Sequence, residues 1–515
     1  MAEDATILIN GPSVRNEELN ESEVMIQRLN LFNQRTTTDQ LREIATAPLF
    51  TNPVLKYAKG LKTSESPQPL PQYGLLAGNV ESLHEYSFED SQIFYNVATP
   101  SSVFICGSQG SGKSHTLSCI LENCLIQSKK LGYLPRPLTG IVFHYGGYAS
   151  DSCVTPCEAA YLGSDPSIRV RVLCSPINVS VIKDSYSGFE NVTVEALRLD
   201  LADLNTTRMM ELMAFDQAPP LYAQVVMRIL RDMRLEKQGK SGGFSYSQFM
   251  SKIREVNPSC YGLNERLSTL ENFMVPAQVN PLVRYDGSQS STDWTPKAGE
   301  LLIIDLSCPC VTASMACALF NLCLSIFLAQ DSSLGRIVAL DDAHRYMGGT
   351  PECEALTNNL LSAIRFRRHL GARIVISAQE PTISPKLLDL CSITIVHRFS
   401  SPEWLNVLTK RLAGFSKLSE FINQFERWTR FYDKEEPDWR GLRGIGVSEN
   451  DPILDLFSQI MELPTGEALV FAPDAITWLE KQDGKLVPRK LAHRVLRVVM
   501  RARITADGGK SIMAS

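Results

Sequence analysis

From about residue 90 onward, short β-branched runs alternate with helical patterns, the texture of βα units on a mainly parallel sheet. The strand candidates are "SVFIC" (102–106), "GIVFHY" (140–145), "RVRVLC" (169–174), "LLIIDL" (301–306), "RIVAL" (336–340), "RIVIS" (373–377), "ITIVHRF" (393–399) and "ALVFA" (468–472). Between about 200 and 275 the period changes. "TTRMMELMAF", "LYAQVVMRILRDM" and "NERLSTLENFM" read as helices separated by "KQGKSGG" (237–243), which predicts a helical insertion in the α/β core. An amphipathic helix is predicted over 17–34 and a Pro/Ser linker over 63–74.

The pattern divides the chain into five parts. These are an N-terminal extension and linker (1–75), a first core segment (76–199), the helical insertion (200–290), a second core segment (291–475), and a C-terminal basic helix and tail (476–515). In that last part "KLVPRKLAHRVLRVVMRARI" (485–504) spaces Lys490, Arg494, Arg497 and Arg501 by four, three and four residues. The spacing predicts one basic helical face beside Leu491, Val495 and Val498.

At 515 residues, 44% hydrophobic and 21% charged, the chain has the composition of a folded protein. A net charge of −5 gives no global pull toward nucleic acid, so any such contact rests on local basic patches. Thirteen cysteines show no disulfide-framework spacing and several fall in apolar runs. Reduced thiols and an intracellular compartment, cytoplasmic or nuclear, are therefore expected. Cys308-Pro-Cys310 and Cys153-x3-Cys157 have no second Cys/His pair at zinc spacing. The longest apolar stretch, "CALFNLCLSIFLAQ" (317–330), is shorter than the roughly 20 residues a bilayer requires and is expected to be a buried helix.

Candidate chemistry concentrates in "FICGSQGSGKSHTL" (104–117). It contains G-x-x-x-x-G-K-S between an apolar strand and a helical pattern, the context that motif needs. Its residues are Gly107, Ser108, Gln109, Gly110, Ser111, Gly112, Lys113, Ser114 and His115. Glycines let backbone N–H groups converge on phosphate oxygens, and the helix N-terminus adds partial positive charge. Lys113 is placed to bridge β- and γ-phosphates of ATP, and the Ser114 hydroxyl to ligate Mg²⁺.

Two strands end in aspartate, Asp305 in "LLIIDLS" and Asp341 in "RIVALDDAHRYM". Asp341 is the better magnesium candidate, since Asp342 follows at once and Gln379 ends the next strand in "RIVISAQEP". Asp342 stands where a base would activate water, and Gln379 where a side chain would touch the γ-phosphate or orient that water.

These blocks resemble the HerA/FtsK superfamily of P-loop ATPases. "RHLGARIVISAQEP" (368–381) is similar to that family's segment leading into its sensor strand. "CSITIVHRFSSPEW" (391–404) looks like the strand that follows, and "LPTGEALVFAP" (463–473) like a late G-E-A strand. The stretch "YNVATPSSVFICGSQGSGKSHTLSCILENC" is similar to P-loop NTPases of fungi.

The resemblance implies a RecA-like doubly wound fold, hydrolysis of Mg-ATP, a homo-oligomeric ring with a hexamer as the candidate state, and DNA as a candidate cargo. It matches Asp341 to Walker B, Gln379 to the sensor, and Arg398 and Arg368 to arginines that act on phosphate. Asp342 departs from it, standing in place of glutamate. A nucleotide-gated switch or scaffold with weak or no hydrolysis is the alternative expectation.

Overall fold

The computed structural model describes residues 37–508, except 62–69, 82–87, 147–149, 151–152, 214–220, 237–243, 257–266, 269, 280–289, 331–332, 412–451 and 483–484. The expected helix over 17–34, most of the linker, and "KQGKSGG" lie outside the described residues.

Among the described residues sixteen strands form one sheet. In chain order they are β1 (Leu49–Thr51), β2 (Tyr73–Asn79), β3 (Gln92–Asn96), β4 (Ser102–Cys106), β5 (Gly132–Tyr133), β6 (Thr139–His144), β7 (Arg169–Cys174) and β8 (Val192–Ala196). There follow β9 (Glu300–Asp305), β10 (Arg336–Leu340), β11 (Ala372–Ala378), β12 (Ile393–Val396), β13 (Glu467–Phe471), β14 (Ile476–Gln482), β15 (Lys485–Lys490) and β16 (Leu496–Met500).

The order is β15-β14-β1-β3-β2-β16-β13-β12-β4-β11-β10-β6-β9-β7-β8, with β5 beside β2. Every pairing from β12 through β8 is parallel. The carboxyl ends of those eight strands therefore share one edge, where ligands bind in open α/β sheets. Val, Ile and Leu fill β4, β6, β9, β10 and β11, whose residues are all buried. This is the mainly parallel α/β sheet expected from the alternation, in the RecA-like class that the resemblance implied.

Helices cover both faces. Lys113–Leu125 follows β4 directly. Ala313–Ala329, capped by the Thr312 hydroxyl accepting from the Met315 N–H, holds the expected apolar stretch and is buried from Ala316 to Phe327 except at Ala318 and Ser325. In the 200–290 segment, helices Thr206–Met213, Leu221–Glu236 and Tyr246–Val256 share a core with it: Met209, Val226 and Phe249 are buried in one cluster with Phe320. Among the described residues no helix is long and apolar enough to cross a membrane.

Two expectations are corrected. The C-terminal basic segment is not a helix but strands β15 and β16. Pro488 would break a helix interior, whereas on the edge strand β15 it pairs with Leu479 without losing a needed donor. In β16, Val498 and Met500 are buried while Arg497 and Val499 are exposed, a period of two. The basic side chains consequently separate. Lys490 pairs with Asp474, Arg497 with Glu467 and Arg501 with Glu122, while Arg494 lies over the Trp478 ring.

The second correction concerns residues 37–60, which are no appendage to the core. Their helices flank β1, which pairs with β3 and β14, and Phe50 is buried against Tyr73 and Phe94.

Candidate functional site

The phosphate-loop motif occupies the turn between β4 and the helix Lys113–Leu125. Gly107 and Gly112 have φ of 152° and 110°, values that L side chains rarely adopt. A Cβ on Gly107 would also stand 2.7 Å from both the His397 Cβ and the Ser111 Oγ. The Ser108 N–H donates to the Arg398 carbonyl (2.8 Å) and the Ser111 N–H to the Ser108 carbonyl (3.3 Å). Ser108 and Ser111 thus brace the turn, and the N–H groups open to an anion narrow to Gln109, Gly110, Gly112, Lys113 and Ser114. His115 turns its ring away, its Nε2 donating to the Arg501 carbonyl at 2.8 Å.

Lys113 is buried, and its Nζ donates to the Ser108 carbonyl at 2.9 Å. Burial lowers its pKa, against the opposing pull of Asp342 and Asp341. The two carboxylates at the tip of β10 are therefore in electrostatic reach of the loop lysine. β11 lies between β4 and β10 and brings Gln379 to the same edge.

Parallel register sets the neighbours of Asp341. Leu340 pairs with Phe143 and His144 with Asp305, so Asp341, His144 and Asp305 end three adjacent strands side by side. Asp305 is fully engaged: its Oδ2 accepts from the Tyr186 hydroxyl (2.7 Å) and its Oδ1 from the Ser307 N–H (3.0 Å). Asp341 is buried but half engaged. Its Oδ2 lies 3.3 Å from the His144 Nδ1, and its Oδ1 has no hydrogen-bond partner among the described residues. Burial works against a charge on His144, but the Cys157 sulfur and the Asp341 carboxylate outweigh it and raise its pKa well above the ordinary value.

Asp342 adopts a left-handed conformation, φ 42° and ψ 47°, costly for a residue with a Cβ. Its carboxylate accepts from Gln379 Nε2 (3.1 and 3.2 Å to the two oxygens) and pairs with Arg345 Nε (3.1 Å). Gln379 is held in turn, since the Trp404 indole N–H donates to its carbonyl at 2.7 Å. The structure thus joins Asp342 and Gln379 into one unit, which their separation in sequence did not show.

The arginines are not brought in. Arg398 sits two residues beyond β12, and its side chain is exposed while its carbonyl holds the loop. Arg368 is also exposed and lines a polar cleft of about 140 Å³ with Glu43, Ser101 and Asp474. That cleft lies at the amino ends of β4 and β11, the edge opposite the phosphate loop. Nearby Arg373 is a buried structural residue, donating to the carbonyls of Gly371 and Ala98.

Residues unmarked by any motif complete the site. His397 backs the loop, donating from Nδ1 to the Glu467 carbonyl (2.9 Å) and accepting at Nε2 from the Thr116 hydroxyl (2.9 Å). Burial lowers its pKa to about 4. The Gly466 N–H reaches the Ser111 carbonyl, so "PTGEA" packs on the loop. A polar residue ending an apolar run, in "GIVFHY" and "ITIVHRF", was the only available signal for His144 and His397.

A glycine-rich phosphate loop on β4, a parallel sheet around it and an aspartate two strands away define a P-loop NTPase fold of RecA-like class. No protein-family model matches the sequence, and no curated protein does. Solved structures similar to the chain include VirB4 of Thermoanaerobacter pseudethanolicus, 12% identical over 84% of this chain and 96% of that one, with a TM-score of 0.46. The bacterial conjugative coupling protein TrwB is 12% identical over 80% and 87%, at 0.38. The genome packaging NTPase B204 from Sulfolobus turreted icosahedral virus 2, in complex with ATP-gammaS, is 8% identical over 72% and 92%, at 0.26. At scores below 0.5 these likenesses carry no further weight, and the fold class stands on strand order, register and loop.

Proposed function

We propose that the chain is a HerA/FtsK-type ATPase that binds Mg-ATP between the 107–114 loop and Asp341 and hydrolyses it. The observation that carries this reading is the buried Asp341 Oδ1, which has no partner yet shares an edge with the buried Lys113. A buried carboxylate oxygen without a donor is costly unless a ligand completes it. The donor set fits the group, since a hydroxyl on Ser114 and a carboxylate on Asp341 are the hard oxygen ligands that suit Mg²⁺.

When bound, the metal supplies charge neutralisation on phosphate oxygens. Lys113 would exchange the Ser108 carbonyl for phosphate, and the loop N–H groups would hold the remaining oxygens. Asp342, oriented by Gln379 and Arg345, would accept the proton of the attacking water. Arg398 and Arg368, exposed in one chain, would act on the nucleotide of a neighbouring copy in a homo-oligomeric ring. A guanidinium suits that task through its permanent charge and planar fork. DNA is the proposed cargo.

Steady-state ATP hydrolysis with and without DNA is the test. Asp342→Ala is expected to lower turnover by about a hundredfold while nucleotide affinity stays within a few-fold, and unchanged turnover would remove Asp342 from the mechanism. One observation favours a second reading, a nucleotide-gated switch: both oxygens of Asp342 are already engaged by Gln379, and one also by Arg345. Tight ATP binding without turnover, with or without DNA, selects the switch.

A further inference from the structure

Cys157 has no part in the nucleotide reading, yet it approaches the same aspartate. Its Sγ lies 3.9 Å from Asp341 Oδ2, and His144 Nδ1 lies 3.3 Å from that oxygen. One ligand atom from each of the three residues falls within 4.8 Å of the others, and all three residues are buried. In a tetrahedral site with Zn–N and Zn–O bonds of about 2.0–2.2 Å and a Zn–S bond of about 2.3 Å, ligand atoms stand roughly 3.3–3.7 Å apart. The triad is close to that spacing before any ion enters.

The set is held from three directions. His144 ends β6, Asp341 follows β10, and Cys157 precedes the 3-10 turn Glu158–Ser164, with its N–H donating to the Tyr186 hydroxyl at 2.7 Å. Tyr186 is itself tied to Asp305, so the loop bearing the sulfur is pinned to the strand next to His144. Two buried polar atoms of the triad, Asp341 Oδ1 and His144 Nε2, have no hydrogen-bond partner among the described residues. Hydrogen bonding within the protein alone therefore leaves the cluster incomplete.

We propose that His144, Cys157 and Asp341 form a site for a thiophilic divalent cation of the Zn²⁺ class, with the fourth position taken by water. The imidazole and thiolate select against Mg²⁺, which prefers all-oxygen ligands. As the metal bonds form, the Cys157 thiol proton and the His144 Nδ1 proton leave to solvent and no electron is transferred. Asp341 serves both sites, so an ion held here takes the carboxylate from magnesium, and zinc becomes a competitive inhibitor. That consequence rests on the nucleotide reading; the metal site does not.

The test is titration of the reduced, nucleotide-free full chain with Co²⁺, a spectroscopic stand-in for Zn²⁺. One equivalent is expected to give a thiolate-to-cobalt charge-transfer absorption that excess Mg²⁺ leaves in place and Zn²⁺ removes. Cys157→Ser should abolish that absorption, and His144→Ala should weaken Zn²⁺ binding at least about tenfold. An absorption that survives Cys157→Ser belongs to other cysteines and overturns the site, as does its absence from the unaltered chain.

Should Cys157→Ser not fold, zinc X-ray absorption on the unaltered chain decides. One sulfur with nitrogen and oxygen supports the site, and any other shell overturns it. Lys113→Ala separates the two proposals, since it should lose nucleotide binding and keep the cobalt signature.

Discussion

Glu122 and Asp341 are both buried carboxylates, and they differ in how completely they are satisfied. Glu122, in the helix behind the phosphate loop, is fully buried. Its Oε1 accepts from the Thr505 N–H (3.0 Å) and hydroxyl (2.6 Å), and its Oε2 from Arg501 at 2.6 Å. Arg503, almost wholly buried, lies 4.0 Å away. Asp341 has a histidine and a more distant thiol on one oxygen and, among the described residues, no partner on the other. A carboxylate with every lone pair answered fixes structure, here clamping residues 501–505 onto the helix. One left half answered at the carboxyl edge of a parallel sheet is ready for a ligand.

Removing each carboxylate sharpens the contrast. Glu122→Ala leaves Arg501 buried without its counter-charge, while Arg503 keeps Glu158 at 3.0 Å, and is expected to cost about 3–5 kcal/mol in urea unfolding. Asp341→Asn should cost far less stability, because it removes one partner rather than a network. Equal losses would mean that Asp341 is structural too.

His397 gives the next largest effect. Neutral and doubly hydrogen-bonded when folded, its pKa falls to about 4 from an ordinary 6.5. The unfolded chain takes up that proton near pH 6.5 and the folded chain only near 4. The stabilisation is therefore complete above 6.5 and is lost as pH falls through this window, by on the order of 3 kcal/mol. Thermal unfolding at stepped pH should show a shallower acid decline in His397→Gln than in the unaltered chain. Parallel declines would show that the ring is not held neutral.

The smallest effect tests how Gln379 is held. Trp404→Phe removes the indole N–H on the Gln379 carbonyl, and is expected to lower stability by about 1–2 kcal/mol. If Asp342 depends on Gln379 for its position, the same variant lowers ATP turnover, while an unchanged rate would uncouple the pair.

Much of this was legible beforehand. The eight strand candidates match β4, β6, β7 and β9–β13 to within a few residues, because buried central strands, seven of these eight in the parallel part of the sheet, write β-branched runs that other elements do not require. The phosphate loop was legible because glycine, lysine and serine at fixed offsets have few other uses. The C-terminal helix misread charge spacing: basic residues at four, three and four also suit two strands and their flanking turns, which send each cation to a different carboxylate or ring. That Arg368 lies at the amino ends of β4 and β11 was not legible for a related reason, since spacing along the chain does not say which edge of the sheet a residue reaches.

The sequence alone determined the βα alternation and the phosphate loop, since both rest on local periodicity and backbone geometry. Tertiary structure decided which buried carboxylate is left incomplete. Asp305 and Asp341 both end apolar strands and read alike in one dimension. Tyr186 and Ser307 satisfy the first, while His144 and Cys157 only partly enclose the second. Those partners lie between 2 and 197 residues away, brought together by parallel register, which fixes strand ends side by side whatever their separation along the chain.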